Sequence, residues 1–187
     1  MRTVTVSIST SLDGYIAGPD GRFDWSVPDE ELFRTYLDEL RSIDVHVLGR
    51  RLYETMRFWE TVEEDPELSE DEREWARLWN VLPKVVFSTT LTSVHGDARL
   101  LPGHVAEEVR RLKAAPGSGE IAIGGAELAT VAAEAGLVDE YRVSVHPVLV
   151  GGGTPLFPRD QRQTDLALID SRVFDSGVVR SCYRVVR

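Results

Sequence analysis

Twice in this chain an apolar, β-branched run closes on glycine and opens at once into helix-forming residues. The first case is Asp44 to Leu48, then Gly49, then Arg50 to Met56; the second is Ile121 to Ile123, then Gly124-Gly125-Ala126, then Glu127 to Ala135. A short apolar run bounded by glycine is a buried strand, and a run of Leu, Ala, Glu and Met without a breaker is a helix. A strand that hands over to a helix within one or two residues is the start of a βαβ crossover, which belongs to a parallel sheet covered on both faces. This pattern excludes an all-helical bundle and an all-β sandwich.

The rest of the 187 residues extends the pattern. Thr3 to Ser9 alternates at period two, and Gly14, Gly18, Pro19, Asp20 and Gly21 then mark a long loop. From Asp29 to Ser42, Leu32, Phe33, Tyr36, Leu37 and Leu40 recur at three and four, behind the acids Asp29, Glu30 and Glu31, so a helix is predicted. Ser69-Glu70-Asp71-Glu72 reads as a capping box opening a helix that carries Trp75, Leu78 and Trp79. Lys84 to Thr90 is predicted as a strand and His104 to Ala115 as a helix stopped by Pro116-Gly117. Tyr141 to Val150 is β-branched and interrupted by Pro147; Leu166 to Phe174 and Val178 to Val186 flank Asp175-Ser176-Gly177 as an antiparallel hairpin. The expectation is one α/β domain spanning 1–187, a mainly parallel sheet with an antiparallel edge.

Charge narrows the partners. Acids outnumber bases 31 to 21, and nine of the acids lie between Glu60 and Glu74 beside a single base, Arg73. The acidity is local, and it reads as a solvated face. A chain with this balance lacks the positive field that nucleic acid or an anionic membrane requires, so neither is expected as a partner. No apolar run is long enough to span a bilayer, no leader-like start follows Met1, and the lone Cys182 sits in a strand pattern without a CxxC partner. A cytoplasmic protein is expected. His46, His95, His104 and His146 have no metal-ligand spacing, so no metal is expected; His46 and His146 read as structural strand residues, His46 with its ring satisfied.

Three strand ends are suited to phosphate. Gly124-Gly125 can bring backbone N–H groups and a helix N-terminus close to a pyrophosphate. Gly49-Arg50-Arg51 adds two permanently charged forks for bidentate contact. Ser88-Thr89-Thr90 offers hydroxyls and amides. An acidic protein that gathers glycine and arginine at one sheet edge is expected to hold a phosphorylated cofactor there, because ligands of such sheets bind at the strands' carboxyl ends.

The ordered set Thr3 to Ser9, Ser11-Leu12-Asp13-Gly14-Tyr15-Ile16-Ala17, Leu48-Gly49-Arg50-Arg51-Leu52-Tyr53-Glu54, Val85-Val86-Phe87-Ser88-Thr89 and Ile121 to Ala126 resembles the dihydrofolate reductase superfamily. Leu12-Asp13-Gly14, Gly136-Leu137-Val138-Asp139-Glu140 and Pro147 to Gly151 make it most similar to the branch containing the reductase domain of the bifunctional riboflavin-biosynthesis deaminase/reductase. The resemblance implies about eight strands and NADPH across their carboxyl edge. Gly49, Arg50, Arg51, Ser88 and Thr89 would hold the 2′-phosphate side, Gly124, Gly125 and Ala126 the pyrophosphate, and Ile16 and Ala17 the nicotinamide border. It also places an acid at the start of the helix after the first loop, where both Asp29 and Glu30 fit. Phe33, one turn on, would stack on a planar substrate.

Asp13, in its glycine-bracketed loop, is the other candidate acid. The implied activity is NADPH-dependent hydride transfer to a C=N or carbonyl carbon of a pterin-like, pyrimidine-like or related heterocycle. Two alternatives stand beside it: a free-standing 5-amino-6-(5-phosphoribosylamino)uracil reductase, and a binding module that keeps the cofactor cradle without turnover. No deaminase-type Cys/His zinc cluster accompanies the pattern. The apolar stretch Val143 to Val150 makes a homodimer an expectation.

Overall fold

A computed structural model describes residues 2–157 and 163–187. Its strands are β1 (Val4–Ser11), β2 (Tyr15–Ala17), β3 (Ile43–Gly49), β4 (Lys84–Phe87), β5 (Ala98–Leu101), β6 (Glu120–Gly124), β7 (Glu140–His146), β8 (Thr154–Pro155), β9 (Leu166–Val173) and β10 (Val179–Val185). The helices are α1 (Glu30–Leu40), α2 (Arg50–Met56), α3 (Glu70–Val81), α4 (Val105–Ala114) and α5 (Ala126–Glu134). Eight strands form one sheet in the order β5-β4-β3-β6-β1-β7-β10-β9, and β2 pairs with β8 in a small ribbon. From β5 to β7 every pairing is parallel; β10 runs antiparallel to both β7 and β9, which is the predicted closing hairpin.

Period-two alternation sends each strand's side chains to two different cores. Val45 and Val47 of β3, Val85 and Phe87 of β4, and Ile121 and Ile123 of β6 meet Val109 and Leu112 of α4 and Leu128, Ala129 and Ala132 of α5. On the opposite face Leu48 and Val86 meet Leu40 of α1, Tyr53 of α2 and Trp79 of α3. Both faces are therefore covered, as the parallel arrangement requires. The capping box at Ser69 and Glu72 forms as the sequence predicts and starts α3.

Over β1, β7 and β10 the covering helix is α1, and its contacts there are largely polar. Tyr36 Oη lies 2.9 Å from Ser9 Oγ, Ser7 Oγ donates to Glu39 Oε2 at 2.8 Å, and Glu39 pairs with both Arg142 and Arg180. Arg142 also pairs with Glu120 at 2.6 Å and with Glu140 at 3.3 Å. Each of these charges has an opposite partner, which is the condition for burying them.

Several boundaries differ from the sequence expectation. The strand predicted over Lys84 to Thr90 ends at Phe87, because Ser88 Oγ turns back to accept from the amides of Thr90 at 3.1 Å and Leu91 at 3.0 Å. The strand predicted over Tyr141 to Val150 ends at His146, since Pro147 cannot donate to a ladder. His104 stands outside its helix at φ 66°. Strands β2, β5 and β8, of two to four residues, carry no sequence periodicity long enough to announce them. His46 is not satisfied: its Nδ1 is buried without a partner, and burial next to Lys84 pushes the imidazole down to about 4.

Candidate functional site

The chain leaves β4, β3 and β6 at one edge of the sheet, side by side, with Gly49 paired to Phe87 and Leu48 paired to Gly124. All three phosphate-compatible segments of the sequence are thus brought together. Gly49 is the extended N-cap of α2, and Arg50 follows as its first residue. Arg50 Nη1 donates to Thr90 Oγ1 at 2.7 Å, and Ser88 Oγ lies 3.3 Å from that same oxygen. Arg50 Nε also meets Glu54 Oε1 at 2.9 Å one turn along α2. Arg50 and Arg51 are both exposed, and Arg51 makes no ion pair among the described residues. Thr89 is exposed at the tip of the same turn.

The two glycines of the third segment serve different ends. A Cβ on Gly124 would lie 2.3 Å from Leu52 Cδ2, so this glycine lets α2 pack down onto β6. Gly125 is the N-cap of α5 at φ 102°, a conformation that favours glycine, and a Cβ there would enter open space. Ala126, the first residue of α5, is buried. An exposed pair of guanidinium groups, a hydroxyl cluster and an uncovered helix N-terminus are the donor set that a phosphorylated dinucleotide needs, and the open space at Gly125 leaves room for it.

Farther along the same edge, the ends of β1 and β7 are paired at Ser11 and His146. At about 4.8 Å per strand, His146 on β7 stands roughly 14 Å from the β3 terminus. The loop after β1 is fastened here: Leu12 N donates to Val148 O at 2.8 Å, and Asp13 accepts from the amides of Val150 at 3.2 Å and Gly151 at 2.8 Å. A hydrogen bond from Ser11, with those amides, holds the Asp13 carboxyl below the usual carboxylate range. Asp13 is thus a latch between the first loop and the segment after β7. Ile16 and Ala17 follow in β2, half-buried, with Ala17 paired to Thr154 of β8.

The two acids at the start of α1 separate. Asp29 is the N-cap, accepting from Leu32 N at 2.8 Å, and its carboxyl is held below the usual range by Ser176, then by that amide, with a contribution from His146. Glu30 points outward, its side chain 89% exposed and 3.6 Å from Arg34. Phe33 packs in an aromatic cluster, with ring centroids 5.3 Å from Trp75 and 6.0 Å from Trp59. His146 is 4% exposed and meets the Trp25 ring edge-on at 5.6 Å. Trp25 also lines an open cleft of about 470 Å³ with Gly18, Pro19, Asp20, Arg22, Asp24 and Val150. Among the described residues no cluster of His, Cys, Asp and Glu could hold a metal ion.

Sequence reasoning did not assign Trp25 to the site, and it read His146 as structural. Thr90 was legible as the last hydroxyl of the Ser88-Thr89-Thr90 run, but not as the one that Arg50 meets. Trp25 and His146 meet only through the tertiary fold, 121 positions apart in the chain.

Comparison with known proteins defines the class first. The fold is that of the dihydrofolate reductase class: the Enterococcus faecalis dihydrofolate reductase, solved in complex with NADP(H), aligns over 99% of this chain and 97% of its own at TM-score 0.61 and 16% identity. A protein from Shewanella sp. PV-4 with a provisional riboflavin-biosynthesis name aligns over the whole of both chains at TM-score 0.76 and 27% identity. The chain belongs to the RibD C-terminal domain family, whose model matches residues 2–180, and this makes it an oxidoreductase-type domain of the riboflavin-reductase kind. The uncharacterized protein YyaP of Bacillus subtilis is 35% identical over 182 residues, covering 97% of this chain and 94% of its own.

Proposed function

We propose that this protein is an NADPH-dependent reductase acting on a C=N or carbonyl carbon of a flat, pterin-like or pyrimidine-like heterocycle. The observation that carries the reading is the joined group of Arg50, Thr90 and Ser88 on adjacent strand ends, next to the uncovered Gly125 corner. NADPH, when bound, supplies the hydride. Arg50 and Arg51 supply the charge that favours a 2′-phosphate over a bare hydroxyl, and Ser88 and Thr89 add hydrogen bonds beside them. The amides of Gly124, Gly125 and Ala126, at the N-terminus of α5, face the pyrophosphate. Gly49 sets the sharp entry into α2 that aims the arginines. Ile16 and Ala17 border the nicotinamide, held there by the β2–β8 ribbon and the Asp13 latch.

Of the three carboxylates proposed from sequence, Asp29 is the one we assign to the substrate. It stays ionised, fixed by Ser176 and the α1 amide, and so accepts hydrogen bonds from the ring N–H groups of a heterocycle. Phe33, one turn on, extends an aromatic wall for a planar ring. Glu30 is in solvent and Asp13 is engaged by amides, so neither is given a proton-donor role.

The family favours one narrower reading, a free-standing 5-amino-6-(5-phosphoribosylamino)uracil reductase. We further propose that the protein works in the cytoplasm as a homodimer; the stretch Val143 to Val150 expected to carry it is no sheet edge, since β7 lies between β1 and β10, so the second copy covers edge strand β9, where Leu168, Ile169 and Val173 are 56%, 43% and 72% exposed. No described helix is long and apolar enough to cross a membrane, and the acidic balance argues against nucleic acid. The test is loss of reduced-nicotinamide absorbance from NADPH with dihydropterin, 5-amino-6-(5-phosphoribosylamino)uracil and quinones as acceptors. Oxidation dependent on a heterocycle is expected; tight NADPH binding with no oxidation by any acceptor would make the protein a binding module instead.

A further inference from the structure

Among the described residues the site holds a buried histidine that neither the cofactor nor the latch uses. His146 ends β7 opposite Ser11, is 4% exposed, and buries its Nε2 with no hydrogen-bond partner. The edge-on Trp25 ring closes over it, and the Trp25 Nε1 is likewise buried and unpartnered. An unpaired buried polar atom costs stability; unlike His46, which is orphaned inside the core, His146 stands at a strand's carboxyl end. The group of opposite sign that acts on it is Asp29, the N-cap of α1. Ser11 across the β1–β7 ladder and the Trp25 ring, which also meet it, are uncharged. Two orphaned ring nitrogens thus share the end of β1 and β7, within the electrostatic reach of the ionised Asp29 at the start of α1 and about three strands from the phosphate cradle.

We infer that His146 is the proton-carrying group of the reduction, its Nε2 delivering the proton to the substrate while Asp29 serves as its counter-ion. The inference rests on the reductase reading above. In the step, the carbon of the substrate C=N or C=O bond gains a hydride from NADPH, which leaves as NADP+. The π pair moves onto the nitrogen or oxygen, and that atom takes the Nε2 proton of the imidazolium. Neutral imidazole remains and is reprotonated from water. Burial disfavours the imidazolium and holds its titration below the ordinary histidine value, while Asp29 opposes that effect; the donor form therefore gains population as pH falls.

Two measurements test this. In the ligand-free protein, NMR titration of His146 is compared between wild type and Asp29→Asn. The expected result is titration below 6.5 in wild type and lower again in the variant, since the opposing carboxylate is gone; unchanged titration overturns the pairing. In single-turnover reduction with NADPH and dihydropterin or 5-amino-6-(5-phosphoribosylamino)uracil, the wild-type rate is expected to rise as pH falls toward that NMR value. His146→Gln keeps a hydrogen-bonding side chain; it is expected to lose the rise and about 100-fold in low-pH rate, with NADPH affinity and melting temperature retained. A variant with the wild-type pH profile overturns the inference while the reductase reading stands. If wild type does not bind NADPH, or binds it and reduces no acceptor, the reductase reading itself falls and takes the inference with it.

Discussion

Two pairs of arginines, one on each half of the sheet, are treated in opposite ways. On the β5-β4-β3-β6 half, Arg50 and Arg51 stand exposed at the strand ends; among the described residues the Arg50 guanidinium is engaged by Thr90 and Glu54, and Arg51 makes no ion pair. On the β1-β7-β10 half, Arg142 and Arg180 lie under α1 with side chains 15% and 4% exposed, tied to Glu39, Glu120 and Glu140. The residue type is the same, but only the first pair keeps donors free for something outside the protein. Arg142 and Arg180 hold the sheet to its covering helix; Arg50 and Arg51 are the ones available to a ligand.

The strongest test of this contrast is to break the buried half. Glu39→Ala leaves Arg180 without its carboxylate in a nearly solvent-free place, and is expected to cost about 3–5 kcal/mol in chemical denaturation, the range for breaking a buried pair from one side. NADPH affinity of the folded protein should not change. His46 sharpens the comparison, because on the cradle half this buried titratable group is kept neutral rather than paired. Its folded value of about 4 lies below the unfolded 6.5, so the unfolded chain binds more protons between those values. Stability is therefore expected to rise with pH across that window, by up to about 3 kcal/mol, and His46→Leu should flatten that slope in denaturant titrations. Thr90→Val should do least: it removes the hydroxyl that steadies Arg50 without removing the charge, weakening NADPH about threefold by calorimetry, with no loss of fold stability.

Much of this contrast was legible in the chain before any coordinates. The strand-glycine-helix junctions at Gly49 and Gly124, the hydroxyls after Phe87 and the closing hairpin placed the cradle on one sheet edge, since those signals are local and each spans only a few residues. Asp29 was legible as an acid at a helix start, but sequence could not separate it from Glu30. The difference is that Asp29 caps the helix and is held by Leu32 N and Ser176, whereas Glu30 turns to solvent. The buried network of Glu39, Arg142 and Arg180 was not legible, because its members lie on three elements far apart in sequence and each alone reads as a surface charge. The short strands β2, β5 and β8 were invisible for a related reason: a few residues hold a strand only when a neighbour is already in place.

The most direct measurement of the central claim is calorimetric binding of NADPH and NADH to wild type and to Arg50→Ala. The account predicts that wild type prefers NADPH, and that the substitution weakens NADPH about 10- to 100-fold while changing NADH less than about twofold, the loss of one charge-assisted contact to a phosphate. Equal weakening of both dinucleotides, or no preference in wild type, would contradict the assignment of the exposed arginines to the 2′-phosphate.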